Sequence, residues 1–562
     1  MTFSCNFEYA SRQFGKPSMH CRLLISSSMI KFIRTSVFAL FSILSTSVVM
    51  ADSAAIALSA APRSTVSPAL SSSSADSPYD GLAAKAVWRK FLEISLIPRE
   101  SKHEKELADH ICERACGADL QFNRDRAGNV VVFLPATPGH EKSPTVVLQA
   151  HLDMVCVKAA GSKHDFARDP IEIVFESGRV RAKDTTLGAD DGIGVSTLLA
   201  ILDGAISEHG SLELLFTVDE EGDYTGVSAL TPVFFKGRIL INLDAEEAHL
   251  ADIGCAGGQA DTFTFPLRKI AVEMPCRSYN LRIGGLRGGH SGVDIHRGRG
   301  NAIRLLGRLL RALSESFGAR VVSVNGGTVD TAIPAAAEAL IFVPGIPDVE
   351  IKRLVDIYRR SFARELASSD PDITIDLRRN LSDMAHERYA ASSEDTRRLV
   401  GFLTALPQGV LRMSAVFPGT VEQSTNPGIL RTSTDSVTLI SHLQSLYPEA
   451  KTRLSARMAR LAGIYGFSAN AGDPYPSWEP SPSSPLLKLA ASVHKDLFGV
   501  SLATRVVHAG LECGVLAGSI PGIDMIALGP TIRNAHSPSE YVDVASVEYL
   551  WTFLKALLRR IS

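Results

Sequence analysis

Val146-Val-Leu-Gln-Ala-His151-Leu-Asp153, Leu212-Glu-Leu-Leu-Phe-Thr-Val-Asp219-Glu220-Glu221-Gly222 and Ile239-Leu-Ile-Asn-Leu-Asp244 are three apolar runs that each end on imidazole or carboxylate side chains. Between the first two lies a glycine-rich loop, Leu187-Gly188-Ala189-Asp190-Asp191-Gly192-Ile193-Gly194, which leads into an apolar helical stretch, 193–202. Short apolar strands alternating with helices predict a doubly wound α/β sheet. In such a sheet, ligands gather beyond the carboxyl ends of the strands. Several Asp, Glu and His placed there predict a metal site, because uncompensated carboxylates repel one another.

Outward from this centre, helical spacing covers 82–96 and 104–115, and Val130-Val-Val-Phe-Leu134 reads as a strand. After Gly254-Cys-Ala-Gly-Gly258 the pattern changes. Strands are expected at 262–265, 278–283, 319–324 and 338–342, with helices at 302–316 and 349–366. Strand–helix–strand order without long parallel crossovers implies an antiparallel sheet with helices on one face. The pattern recurs through Ser414, Asp435 and Arg457, which implies two similar units. Near Tyr475-Pro-Ser-Trp478 the chain returns to the first sheet, with a helix at 484–497 and a strand at 525–528 that runs into Gly529-Pro530 and His536-Ser-Pro538. The expected division is a leader with linker over 1–80, the first domain over 81–257 and 476–562, and an inserted α+β domain over 258–475.

A chain of 562 residues exceeds what one hydrophobic core usually supports. With 45% apolar and 21% charged residues and a formal net charge of -2, nothing points to nucleic acid or a membrane surface as partner. The eight cysteines, 5, 21, 112, 116, 156, 255, 276 and 513, form no CxxC pair, which argues against a zinc ribbon. Cys112 and Cys116, with His110, fall on a predicted helix and read as buried helical side chains.

Residues 29–51 have the form of a secretory signal: Lys31 and Arg34, an apolar centre from Val37 to Val49, and Val49-Met50-Ala51 as a cleavage site. The centre is short and interrupted by Ser and Thr, unlike a membrane span. Translation from Met19 or Met29 would put this segment near the amino terminus. Its use would make the protein periplasmic or secreted; otherwise it is cytoplasmic. The Ala-, Ser- and Pro-rich 54–77 reads as a linker.

His151 and Asp153 lie two apart at a strand end and so share a face. Alone, this pair or the acidic Asp219-Glu220-Glu221 would be an ordinary solvated turn. Together after successive strands, with a late His536 in a Gly-Pro…His-Ser-Pro turn, they form a pattern. His151-Leu-Asp153, Thr186-Leu-Gly-Ala-Asp190-x-Gly, Glu220-Glu221, Asn242-Leu-Asp244, Gly254-Cys-Ala-Gly-Gly, Gly288-Gly-His290-Ser-Gly, His508-Ala-Gly-Leu-Glu-Cys513-Gly and His536-Ser-Pro follow in order. In these motifs, from about residue 81 to the carboxyl terminus, the chain resembles the aminoacyl-histidine (Xaa-His, beta-alanyl-histidine) dipeptidases of the M20 metallopeptidases.

The resemblance implies a zinc-peptidase-like mixed sheet with an inserted lid and dimerisation domain, a homodimer, and two Zn²⁺ per subunit, with Mn²⁺ or Co²⁺ as alternatives. Asp190 would bridge the metals, His151 and Asp244 would complete one ligand set, and Glu221 and His536 the other. Asp153 would orient His151, and Glu220 would be the general base for a metal-activated water. His290 would polarise the scissile carbonyl, reaching in from the partner subunit, while His296 would be surface. The implied reaction is hydrolysis of Xaa-His and other short dipeptides.

Three positions depart from the family pattern: Thr331 before Ala332-Ile333-Pro334 where Asn is usual, Gln444 where an Arg would clamp the substrate carboxylate, and Asp191 beside the bridging Asp. Arg453 and Arg457 lie near Gln444 in sequence. Without a bidentate cation, recognition of a free carboxylate weakens. Thr331, Gln444 and Arg453 are the candidate substrate-binding residues. The alternative readings are an amidase or aminoacylase acting on N-acylated amino acids, and a metal-binding homologue impaired in turnover.

Overall fold

The strands Val146–His151, Leu212–Thr217 and Ile239–Asn242 lie side by side and parallel, with Val146–His151 in the middle. They form the centre of an eight-stranded mixed sheet, in the order Gln121–Arg124, Val130–Leu134, Leu212–Thr217, Val146–His151, Ile239–Asn242, Asp524–Ala527, Leu250–Cys255, Ala503–Val507. The computed structural model describes residues 79–272, 275–380 and 389–562, all within the unit Ala75–Ser562. The signal-like 29–51, the linker 54–77 and both candidate start methionines lie outside the described residues. Among the described residues, no helix is long and apolar enough to cross a membrane.

Alternation along the strands feeds two cores, as a period of two requires. Val130, Val132, Leu148, Ala150, Leu214, Phe216, Ile241 and Ile526 face one, while Val131, Val147, Leu215, Leu240, Met525 and Ala527 face the other. Helices Lys85–Ile94, Ala189–Leu202, Pro485–Phe498 and Val544–Ile561 pack on the first face. Glu512–Ser519 and Thr225–Ala229 cover the second. With both faces covered, the central strands are apolar throughout rather than half polar. Helix Ala189–Leu202 is apolar all round because it is buried all round. A Cβ on its Gly192 would come within 2.9 Å of the Phe91 ring, so the glycine permits this close helix crossing.

The predicted doubly wound sheet is thus present, and so is the insertion. Strand Leu250–Cys255 gives way at Gly257–Pro266 to a second, wholly antiparallel nine-stranded sheet. Its order is Thr374–Arg379, Cys276–Gly284, Ala337–Pro344, Arg320–Gly326, Val421–Thr432, Ser436–Ser445, Gly257–Pro266, Ser468–Asn470, with Gly409–Met413 branching from Val421–Thr432. The expected two units are halves of this one sheet, joined where Gly326 pairs with Leu430. Helices Ala302–Phe317, Asp348–Glu365, Ser393–Ala405 and Pro448–Ile464 complete its core. The outgoing and returning segments run as neighbours, with bridges Cys255–Trp478 and Gly258–Tyr475. Buried Lys451 donates to the carbonyls of both Gly258 and Tyr475, at 3.0 and 2.5 Å.

One helical expectation needs correction. Cys112 is only partly buried and Cys116 is exposed, while His110 Nε2 pairs with Glu93 Oε1 at 2.6 Å. In helix Lys105–Gly117 the buried stripe is instead Leu107, Ala108, Ile111 and Ala115, so the three polar or thiol positions fall outside it.

Candidate metal centre

The parallel register pairs His151 with Thr217 and Gln149 with Asn242. The turns after the three strands therefore open at one edge of the sheet. A polar chain holds that edge together from below. Gln149 Oε1 accepts from Asn242 Nδ2 at 2.7 Å, and Gln149 Nε2 donates to buried Glu512 Oε2 at 2.6 Å. Thr217 Oγ1 donates to the same Glu512 oxygen at 2.7 Å. Burial pushes the Glu512 carboxyl up to about 8.

His151 is fully buried. Its Nε2 lies 3.2 Å from Asp190 Oδ1 and 3.3 Å from Asp244 Oδ1. Its Nδ1 faces Asp153, 3.1 Å from the carbonyl and 3.4 Å from Oδ1. The Asp153 carboxylate also accepts the backbone N–H of Glu220 and of Glu221, both at 3.0 Å, and the Ser101 hydroxyl at 2.8 Å. Burial alone would raise its pKa, yet the His151 contact and these donors bring it down to about 2.

On the other side, His536 Nε2 lies 3.1 Å from Asp190 Oδ2 and 2.7 Å from Glu221 Oε1. His536 holds φ near +63° and Asp219, at the head of the acidic turn, φ near +58°. These are left-handed conformations that a non-glycine residue adopts at some cost. The result is that Asp190 stands between two imidazoles, presenting one oxygen to each. His151, Asp190, Glu221, Asp244 and His536, drawn from five separate segments, meet here.

The electrostatics are those of a centre designed around positive charge. Burial disfavours the cations of His151 and His536, but the carboxylates outweigh it: His151 rises well above its ordinary value, and His536 to about 11 through Asp190 and Glu221. Burial, followed by neighbouring carboxylates, pushes Asp244 up to about 7 and Glu220 and Glu221 upward. Carboxylates driven to keep protons and imidazoles driven to take them are what a cation-deficient donor set shows. The ligand atoms of His151, Asp190 and Glu221 all lie within 4.8 Å of one another, as do those of His151, Asp191 and Asp244. Two imidazoles with carboxylates suit Zn²⁺ and other divalent first-row ions. Asp191 differs from the rest, because its oxygens accept the backbone N–H of His151 and of Gly194 at 3.3 and 3.1 Å.

Glu220 is 9% exposed, and its carboxylate has no hydrogen-bond partner among the described residues. His290, in the loop after strand Cys276–Gly284, uses Nδ1 to accept the N–H of Gly292 and Val293 at 3.0 and 3.2 Å. An Nδ1 that accepts leaves the proton of a neutral ring on Nε2. Burial, with help from nearby His442, lowers the His290 pKa, which keeps the ring neutral. His296 is exposed.

Of the three candidate substrate residues, Thr331 and Gln444 both border the His290 loop and Arg453 does not. Exposed Thr331 adjoins the His290 loop, its carbonyl accepting the Ser291 N–H at 2.7 Å. Gln444 is 2% exposed, and its amide would be 3.0 Å from a Cβ on Gly292. Arg453 is exposed on helix Pro448–Ile464, lining a cleft of about 350 Å³ with Arg412 and Glu422 and without any of the candidate ligands. Residues not singled out from the sequence also matter here: Arg99, Ser101, Gln149, Glu512 and Glu540. Glu512 lies inside the His508 to Gly514 motif, Gln149 two residues before His151, and Glu540 four residues past His536, whereas Arg99 and Ser101 stand apart from any motif.

Comparison with known proteins bears on this geometry. The profile of Peptidase family M20/M25/M40 matches residues 147–560. The chain is 38% identical over 480 residues to the cytosol non-specific dipeptidase of Escherichia coli (strain K12), covering 85% of this chain and 98% of that one. It is similar in structure to the aminoacylhistidine dipeptidase of Vibrio alginolyticus, with a TM-score of 0.74 and 36% identity, covering 86% of this chain and 98% of that one.

Proposed function

The chain belongs to the peptidase family M20/M25/M40, hydrolases of peptide bonds, and from that premise we propose that it is a dinuclear zinc dipeptidase cleaving Xaa-His and other short dipeptides. The carrying observation is the Asp190 carboxylate, whose two oxygens reach the imidazoles of His151 and His536 separately. In this reading Asp190 would serve both ions, His151 and Asp244 would help hold one, and Glu221 and His536 would help hold the other. Asp191, occupied by backbone donors, is structural. Zn²⁺ fits the mixed nitrogen and oxygen donors, with Mn²⁺ and Co²⁺ as alternatives that metal analysis of the purified protein distinguishes.

Bound divalent ions supply Lewis acidity and make water a usable nucleophile near neutral pH. The chain's own groups do the rest. Glu220, with no competing side-chain partner, would accept a proton from the attacking water and pass it to the amine as the peptide C–N bond breaks. Asp153 keeps the His151 ring in one orientation by facing its Nδ1. His290 donates from Nε2 to the carbonyl oxygen as negative charge develops there, from its own or a partner subunit. Truncating His290 to alanine should lower kcat by about 10²–10³-fold, the usual cost of one such donor, with zinc content unchanged. A variant with normal kcat removes His290 from the site.

The assay that decides the function is hydrolysis of Ala-His and beta-Ala-His, with and without chelator. Chelator-sensitive cleavage restored by Zn²⁺ supports the reading; no cleavage of any dipeptide by metal-loaded protein ends it and favours a homologue impaired in turnover. A second reading, an amidase or aminoacylase on N-acylated amino acids, rests on the departures from the family pattern at Thr331 and Gln444. N-acetylated amino acids in the same assay separate the two. We further propose a homodimer, in line with the family resemblance, which sedimentation velocity tests, and export through residues 29–51, which the amino-terminal sequence of the mature protein tests.

A further inference from the structure

The loop carrying Asp190 is gripped from two sides by groups that the proposed chemistry does not use. On one side, Leu187, Gly188 and Ala189 donate their backbone N–H groups to the Glu540 carboxylate at 2.8, 3.1 and 2.8 Å. These are amides at the start of helix Ala189–Leu202, whose N-cap, Gly188, has no side chain to satisfy them. Glu540 therefore serves as a cap from 351 residues away in sequence, and it sits four residues beyond His536. On the other side, the Gly188 carbonyl accepts from Arg99 Nη2 at 2.5 Å. Nη1 of the same guanidinium donates to the carbonyls of Leu152 and Asp153, both at 3.0 Å. Glu540 and Arg99 are 2% and 3% exposed.

The consequence is a rigid linkage. Glu540 ties the Asp190 loop to the segment of His536, and Arg99 ties it to the turn of His151 and Asp153. Gly188 lies flat against Arg99: its φ is near +67°, and a Cβ would stand 2.6 Å from the guanidinium and 2.7 Å from Met154 Sδ. We propose that Glu540 and Arg99 are positioning residues that set the separation of the two halves of the metal centre, by holding the loop so that Asp190 faces both imidazoles. This rests on the dinuclear reading above. Groups that orient ligands typically change metal affinity by about 10–100-fold when removed.

The test is titration of the metal-free full chain with Zn²⁺ against a chromophoric chelator, alongside thermal melting of the same metal-free samples. Wild type should take up two ions. Glu540→Gln offers one acceptor oxygen where three N–H groups converge and sets an NH₂ against them; the weaker zinc should bind about 10–100-fold less tightly. Arg99→Lys keeps the charge but cannot span both turns, and should weaken the same ion. Glu540→Asp, which keeps the charge on a shorter arm, should fall between and serves if the glutamine variant does not fold. Asp252→Asn is the control: Asp252 is equally buried, pairs with Arg505 at 2.7 and 2.8 Å and makes no hydrogen bond to a proposed ligand, so it should lower melting without lowering zinc affinity. Wild type binding two zinc ions while all three positioning variants bind them equally tightly would overturn the inference. So would an equal loss of zinc affinity in Asp252→Asn. A wild type that binds fewer than two ions instead overturns the dinuclear reading itself.

Discussion

Replacing Glu220 with alanine should lower kcat by about 10²–10⁴-fold, the contribution typical of a positioned acid–base group, while leaving zinc content nearly unchanged. The separation of the two effects follows from what Glu220 touches. Its backbone N–H, which the substitution keeps, supports Asp153 and through it His151. Its carboxylate has no hydrogen-bond partner among the described residues, and burial raises its pKa, so it is held at a cost rather than for stability. Melting of the metal-loaded variant should accordingly be no lower than wild type. The measurements are steady-state kinetics on Ala-His, metal analysis and calorimetry. Full activity in the variant contradicts the role of base, and loss of both zinc ions would make Glu220 a ligand instead.

Asp190→Asn should be as damaging to catalysis for a different reason. The substitution keeps size and one acceptor, but an amide cannot present an anionic oxygen to both sides. In the native chain Oδ1 faces His151 and Oδ2 faces His536, and one of these halves would meet an NH₂ group. The expected result is at most one tightly bound zinc per chain. Losing the electrostatic share of one cation, several kcal/mol, corresponds to a fall in kcat/KM of about 10³-fold. Metal analysis after exhaustive dialysis and kinetics at saturating Zn²⁺ provide the check. A variant that keeps two ions and normal turnover would show that Asp190 does not bridge.

These two outcomes also separate the roles along the reaction path: Glu220 should matter to turnover with the metals in place, and Asp190 to the metals themselves. The proposed positioning pair acts one step further back, on the loop that aims Asp190. Its variants should change affinity for zinc before they change anything specific to the peptide.

Much of the site was legible in the residues alone. Three apolar runs ending on His151, Asp219 to Glu221 and Asp244 announced strands, and with them an edge where polar groups would collect; period-two alternation then divided Val147 from Leu148 and Leu240 from Ile241 between two cores. Local pattern failed where neighbours decide the outcome. Lys451 and Arg453 are both long cations on one helix, yet Lys451 turns inward to clamp two carbonyls while Arg453 faces an outer cleft. Two residues on a helix lie about 200° apart, and only packing determines which of them is inside. The same holds for Cys116, which reads as a buried helical side chain and which the fold leaves exposed.

By itself, the sequence determined the chemistry available: which side chains end which strands, and that carboxylates and imidazoles would crowd one sheet edge. Tertiary structure alone decided which atoms meet. Asp190 and His536 are 346 residues apart, and only parallel strand register, together with a return of the chain after a whole inserted sheet, brings them within hydrogen-bonding distance. Arg99 and Glu540 carry no signal for the same reason. A buried charge is tolerated where distant backbone donors or carbonyls surround it, and that surrounding is a property of the fold, not of any stretch of the chain.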